Sequence, residues 1–258
     1  MSTLPPFNST TIRATEAPHP EWKVGEGLSR SALGSQWEEE VLKEGWKSWD
    51  MASTTPRDAY RILSSAVVPR PVAFISTEAA DGVRNLALFS FFNVVSNNPP
   101  LLSISFTWSR DGANAKDTRH NIVRTKQFVV NLISEPFIEA ANATAVDAPP
   151  EFDEWKVAGL TPEPSVSVKP ARVKESAVSF ECELYSFQDI FPDGADSPSA
   201  TLVLGRVKHA HVRRAVLDGD EPVVDPAKYQ VVGRLSGRTY ARVGDTYDLA
   251  RPDWREAV

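Results

Sequence analysis

The stretch Val67-Val68-Pro69-Arg70-Pro71-Val72-Ala73-Phe74-Ile75-Ser76 decides the fold class. It is apolar and β-branched, as a strand requires. Its two prolines lack the N–H that a sheet ladder needs, so they suit a strand start or an edge. Asp81-Gly82 follows as a hairpin-type turn. Leu86 to Val95 returns as a second strand rich in phenylalanine, and Asn97-Asn98-Pro99-Pro100 breaks it. Leu101 to Trp108 supplies a third.

Further along the chain, Asn114 to Lys126 carries a helix pattern and Phe128 to Ile133 a short buried strand. Ser134-Glu135-Pro136 reads as a helix start, with Ser134 as cap and the helix running to about Ala145. Pro149 to Pro170 reads as loop. Val178, Phe180, Cys182 and Leu184 alternate with Ser179, Glu181, Glu183 and Tyr185, the mark of a half-buried strand. Asp189 to Ser199 is a loop tip, Thr201 to Val212 another strand, and the chain from Tyr240 a partly ordered tail. Six or more strands with two helices between them give a mainly β fold with helical additions (α+β). That pattern points to a barrel or sandwich and away from a doubly wound sheet.

The N-terminal arm, residues 1–52, differs from the rest, residues 53–258. Its first twenty or so residues are poor in aliphatics and rich in Pro, Ser and Thr, so disorder is expected there. Trp22, Trp37, Trp46 and Trp49 then supply four of the chain's seven tryptophans. Tryptophan buries a large area, so this part is expected to dock on the barrel or on a dimer mate. Ser35 to Lys43 suggests a short helix with Ser35 as cap.

Composition excludes several classes. The net charge of -6 supplies no excess of cations to neutralise phosphates, so neither nucleic acid nor an anionic membrane is an expected partner. Cys182 is the only cysteine, so no internal disulfide can form, and its place on the apolar face of a strand reads as an inert core thiol. Met1 to Pro20 has no apolar core of a secretory signal, and no apolar run approaches the ~20 residues of a membrane helix. A soluble, cytoplasmic protein is the expectation. The sequence contains no P-loop, no His-Glu-x-x-His and no Gly-x-Gly-x-x-Gly. His209 and His211 share a strand face without an evident third metal ligand, and read as surface histidines.

Three segments match the needs of a phosphorylated ring compound. Ala73 to Thr77 ends an apolar strand on two hydroxyls, Ser76 and Thr77. Asn85-Leu86-Ala87-Leu88-Phe89-Ser90-Phe91-Phe92-Asn93 sets polar groups among aromatics. Asn114-Ala115-Lys116-Asp117-Thr118-Arg119 begins a helix, whose free N–H groups and dipole suit a phosphate monoester. Lys116, Thr118 and Arg119 offer an ammonium, a hydroxyl and a planar cation. Asp117 is expected to face away, and His120 either reaches a ligand at the helix start or is an exposed helix histidine. Taken singly, each segment is equally well a turn, a strand end or a helix cap.

In order along the chain, these runs resemble the flavin reductase-like, FMN-binding split-barrel family. The resemblance runs through Val68 to Thr77, Asn85 to Asn93, Asn98-Pro99-Pro100 and Lys116-Asp117-Thr118 with Asn121-Ile122. It continues through Phe128 to Ile133, Glu139 to Thr144, Ala158 to Pro162, Val173 to Ser176 and Arg234 to Arg242. It implies a Greek-key split β-barrel that dimerises, with FMN near the subunit interface. It implies Ser76 and Thr77 near the flavin, Asn85, Leu86 and Ala87 along the ring edge through their backbone, and Ser90, Phe92 and Asn93 in the same wall. Lys116 and Thr118, beside Asp117, would hold the phosphate, and Tyr240 would reach the flavin region. Leu88 departs from the family's usual Pro or Ala and narrows the site, and the N-terminal arm resembles those of longer, fungal-type members.

The implied activity is NAD(P)H:flavin reductase-type hydride transfer, from NADH or NADPH to flavin N5, with no catalytic side chain because the flavin carries the chemistry. An oxygenase taking the reduced flavin is a possible partner. The alternative is an FMN-binding carrier or electron-transfer protein without NAD(P)H turnover.

Overall fold

The structure is a computed structural model that describes residues 5–7, 12–108 and 115–255. Asn114, the expected first residue of the phosphate-facing helix, lies outside them, as does part of the segment expected to be disordered. The chain divides into two compact units, Met1–Leu63 with Val243–Val258, and Ser64–Arg242. The division thus falls after Leu63, and the C-terminal tail belongs with the arm.

In the first unit, a parallel two-residue pairing of Ala14–Thr15 with Thr246–Tyr247 ties the two chain ends together. Helix α1 spans Ala32–Glu44. Its cap is Ser31, whose hydroxyl accepts from the Gly34 N–H at 3.2 Å, so Ser35 sits inside the helix and caps nothing. Helix α2, Pro56–Ala66, crosses the boundary between the units.

The second unit is built on seven strands: β1 Ala73–Glu78, β2 Arg84–Phe89, β3 Phe92–Asn97, β4 Pro100–Thr107, β5 Gln127–Leu132, β6 Val178–Ile190 and β7 Ala200–Val212. Their order across the sheet is β2-β1-β5-β6-β7-β4-β3, and every neighbouring pair is antiparallel. The Asp81-Gly82 turn joins β1 to β2 as expected, with Gly82 at φ 91, a left-handed conformation that glycine adopts without steric cost. The proline-rich lead-in does not enter the sheet. Arg70 instead pairs with Arg234, exchanging N–H···O bonds of 3.0 and 2.9 Å.

The run read as one strand, Leu86 to Val95, breaks at Ser90-Phe91. Its two halves, β2 and β3, lie at opposite edges of the sheet. The sheet curls, bringing the edge strand β2 against β4, beside the opposite edge. The Ser105 N–H donates to the Phe91 carbonyl at 2.8 Å, which extends the β3–β4 ladder by one residue, and the ring of Phe89 on β2 packs edge to face on that of Phe106 on β4 at 4.6 Å. The result is an antiparallel sheet rolled into a barrel whose two edge strands are not paired with each other.

Side chains alternate across that barrel wall. Ala73 and Ile75 point inward, with Ile104, Phe106, Phe128, Val130, Cys182 and Val203. Burial pushes the Cys182 thiol up, as an inert core cysteine requires. Phe74 and Leu86 point outward into a second core with Ile133, Phe137, Trp155 and Val173. Gly205 has no side chain because the Phe128 ring occupies the space a Cβ would take. Helix α3, Asp117–Thr125, closes one end of the barrel through the fully buried Ile122.

After β5, Ser134 makes no side-chain cap bond, and a short 3-10 turn Glu135–Phe137 leads into helix α4, Ile138–Ala143. The stretch read as loop contains helix α5, Glu154–Ala158, capped by Asp153, whose carboxylate accepts from the Trp155 N–H at 3.1 Å. Strand β6 runs through Asp189, which is therefore paired with Thr201 in the ladder and is not part of a loop tip. Two short strands, β8 Val232–Arg234 and β9 Tyr240–Arg242, pair at the end of the unit.

Candidate functional site

Four buried polar side chains meet where α3 reaches the β1–β2 hairpin. Asn85 Nδ2 donates to Thr118 Oγ1 at 2.8 Å and to Thr77 Oγ1 at 3.3 Å, and Asn121 Nδ2 donates to Thr77 Oγ1 at 3.0 Å. All four residues are buried, and buried polar groups of this kind must find partners. The register puts Thr77 directly opposite Asn85, so the pair faces one side of the hairpin and receives the helix there. Thr77 accepts twice and Thr118 once. Among the described residues neither hydroxyl proton has an acceptor.

Lys116 stands at the N-cap of α3 with extended backbone and no side-chain cap bond. Its side chain is exposed and makes no ion pair among the described residues. The N–H groups of Asp117, Thr118 and Arg119 lie in the first turn, where no intrahelical acceptor exists. The helix start is thus a set of donors at the positive end of a dipole, flanked by an ammonium.

Asp117 belongs to the same turn and is half-buried. Burial pushes its carboxyl above the usual range, Lys116 and His120 pull it back, and Glu151 raises it further. Asp117 and His120 line a polar cleft of about 320 Å³, with Asp81, Asn121, Arg124 and Glu151. Arg119 turns away from that cleft. Its Nη2 donates to both carboxylate oxygens of Asp189, at 2.9 and 3.1 Å, and its Nε to Thr201 Oγ1 at 3.1 Å.

The structure brings Thr77, Asn85, Lys116, Asp117 and Thr118 together and sets the other expected residues apart from them. Ser76 faces the opposite side of β1, its hydroxyl donating to the Ala171 carbonyl at 2.5 Å. The Leu86 side chain is in the outer core, and its N–H donates to Glu154 Oε2 at 3.1 Å. Ala87 lies opposite Ile75 in the ladder, half-buried. Ser90 Oγ accepts from Arg70 Nε at 3.3 Å. Phe92 fills the barrel core and Asn93 is exposed, both on β3 at the far edge of the sheet. Tyr240 flanks the outer core, with the Arg234 guanidinium 4.4 Å from its ring centre.

Two residues were missed. Asn121 was read only as part of a family run, because the side it presents depends on where α3 packs. Glu154 lies in the stretch taken for loop. Its carboxylate sits against the edge strand β2, and burial raises it above the usual range, against the lowering effect of its bonds to the Glu154 and Leu86 N–H groups. His209 is exposed as expected, while His211 is partly buried. His209 and His211 stack at 5.0 Å, but His211 Nε2 lies 2.7 Å from Oε1 of the fully buried Glu181. Burial alone would raise the Glu181 carboxyl, yet the N–H groups of Val166 and Ser167, with His211, hold it below the usual range. No cluster of metal-ligating side chains occurs among the described residues.

The model of the flavin reductase like domain matches residues 64–231. Nitrilotriacetate monooxygenase component B from Bacillus cereus is 33% identical, with a TM-score of 0.75 over 79% of this chain and 98% of that one. The 2-nitrobenzoate 2-nitroreductase NbaA of Pseudomonas fluorescens is 27% identical, with a TM-score of 0.68 over 80% and 96%. A flavin reductase with a split barrel domain from Shewanella frigidimarina, 20% identical with a TM-score of 0.66 over 80% and 100%, shares the fold. This chain belongs to the flavin reductase like family, with a split-barrel fold, and is a flavin-related oxidoreductase. No helix among the described residues is long and apolar enough to cross a membrane.

The family implies a flavin, and the residues present fit its charged end. The first turn of α3 offers N–H donors, and, among the described residues, Lys116 an ammonium without an ion pair and Thr77 and Thr118 buried hydroxyl protons with no acceptor of their own.

Proposed function

We propose that this protein binds FMN at the start of α3 and acts as an NAD(P)H:flavin reductase. The observation that carries the reading is the cation-flanked helix start, pinned to the β1–β2 hairpin by Asn85. Lys116 and the first-turn N–H groups hold the phosphate, with the Thr118 hydroxyl as a further donor. Thr77 and Asn85 hold that turn in place, and Asp117 shapes its electrostatics. Ser76, Leu86, Ala87, Ser90, Phe92, Asn93 and Tyr240 remain proposed flavin-region residues on the family resemblance alone. When bound, the flavin supplies hydride acceptance at N5.

The chain is proposed to work as a cytoplasmic homodimer. The exposed Trp37 and Trp46 of the arm, 63% and 88% accessible, support a docking role for that segment. Similarity to a protein described as component B of a monooxygenase supports an oxygenase as consumer of the reduced flavin.

Titration with FMN followed by rapid mixing with NADH or NADPH tests the reading. Uptake of FMN and bleaching within turnover times supports the reductase. Retained FMN without bleaching by either donor points to a carrier, and no uptake of FMN removes the proposal.

A further inference from the structure

The start of α3 is held from two sides. On one side Asn85 and Thr77, from β2 and β1, take Thr118 and Asn121. On the other, Arg119 of the same first turn reaches across to β6 and β7. Its Nη2 donates to both oxygens of Asp189 and its Nε to Thr201 Oγ1.

Thr201 is fully buried, and its hydroxyl is saturated. It accepts from Arg119 Nε at 3.1 Å and from the Trp108 indole N–H at 2.9 Å, and donates to Asp189 Oδ1 at 2.5 Å. The guanidinium carbon lies 5.2 Å from the Trp108 ring centre and 5.5 Å from that of Phe187. A planar cation fixed by a carboxylate, a hydroxyl and two aromatic faces has little freedom left.

We infer that Arg119 is a positioning residue: paired with Asp189 and Thr201, it sets the place of Lys116 and the first-turn N–H groups without touching the phosphate itself. The inference rests on the proposed FMN site. Sequence logic made Arg119 a phosphate cation, since it follows Lys116-Asp117-Thr118. In the structure its Nη2 and Nε are committed to Asp189 and Thr201, and the face it occupies looks toward β6 and β7. A helix start tilted by loss of this anchor would carry Lys116 and the first-turn N–H groups together away from the phosphate, so the effect should appear in the phosphate contribution alone.

The test compares FMN with riboflavin, which has the ring but no phosphate, on the full chain carrying Arg119→Gln, Asp189→Asn or both. Residues acting through one shared interaction give non-additive effects. Each single variant should therefore weaken FMN binding roughly tenfold and the double variant no further, with riboflavin affinity unchanged. Thr201→Val, which keeps the charge pair, should show a smaller loss of the same kind and serves if either charge variant fails to fold. Loss in Arg119→Gln with full FMN affinity in Asp189→Asn would mean direct phosphate contact and overturn the inference. A parallel fall for FMN and riboflavin, with a lowered melting temperature, would reduce the pair to a structural role and overturn it as well. A wild-type chain that binds neither flavin would remove the FMN site itself, a failure distinct from both.

Discussion

Asn85 Nδ2 lies 2.8 Å from Thr118 Oγ1, joining the edge strand of the barrel to the first turn of the helix that closes it. The same amide reaches Thr77, so one side chain fixes the relative positions of β1, β2 and α3.

Replacing Asn85 with Ala leaves the hydroxyls of Thr77 and Thr118 buried without that donor. Loss of a buried hydrogen-bond partner costs about 1–3 kcal/mol. Urea unfolding should show a lower midpoint with an unchanged slope, and FMN affinity should fall with it. An unchanged midpoint would deny the network its role.

Lys116→Ala removes the exposed ammonium without disturbing a bond among the described residues. Stability should stay within about 0.5 kcal/mol of wild type. FMN affinity should drop by about 1.5–3 kcal/mol, the range for a hydrogen bond to a charged group, while riboflavin binds as before. Calorimetric titration with both flavins distinguishes a phosphate contact from a general loss.

Glu154 gives a pH dependence of defined sign. Burial holds its folded-state pKa above the usual carboxylate range, so the folded chain binds this proton more tightly than the unfolded chain. The group then costs stability as pH rises from the unfolded value through the raised folded one. Glu154→Gln keeps an oxygen to accept from the Leu86 N–H and abolishes the titration. The variant should melt higher than wild type near about pH 7, and the advantage should vanish toward about pH 4. A constant difference across that range would contradict the assignment.

Gly205→Ala tests packing inside the barrel. The new methyl would meet the Phe128 ring directly, and overpacking of this kind costs typically ~1–3 kcal/mol. A melting temperature equal to wild type would mean that the ring moves aside freely.

Much of the barrel was legible in the sequence where local chemistry decides. Asp81-Gly82 marked its hairpin because a tight turn needs φ above zero, and the alternation from Val178 to Tyr185 marked β6. The break at Ser90 was hidden, since no local signal separates β2 from β3. What interrupts the run is the jump to the opposite sheet edge, with Ser90 bonded to the distant Arg70. Helix α5 was missed because its five residues are too few to display a period. Of the candidate site, Lys116, Thr118, Asn85 and Thr77 were named from their segments and the family resemblance, and the structure brings them together. The partners of Arg119, Glu154 and His211 come from distant segments, and only the folded chain brings them near.

Phe106, Phe128, Ile104 and Ile122 are fully buried inside the barrel, and the ring of Phe128 reaches the backbone of Gly205. The cylinder is therefore solid and offers no lumen to a guest the size of a flavin. A flavin at the proposed site would sit at the start of α3, at the end of the barrel and outside this filled interior. Release of a flavin bound there would require no opening of the core.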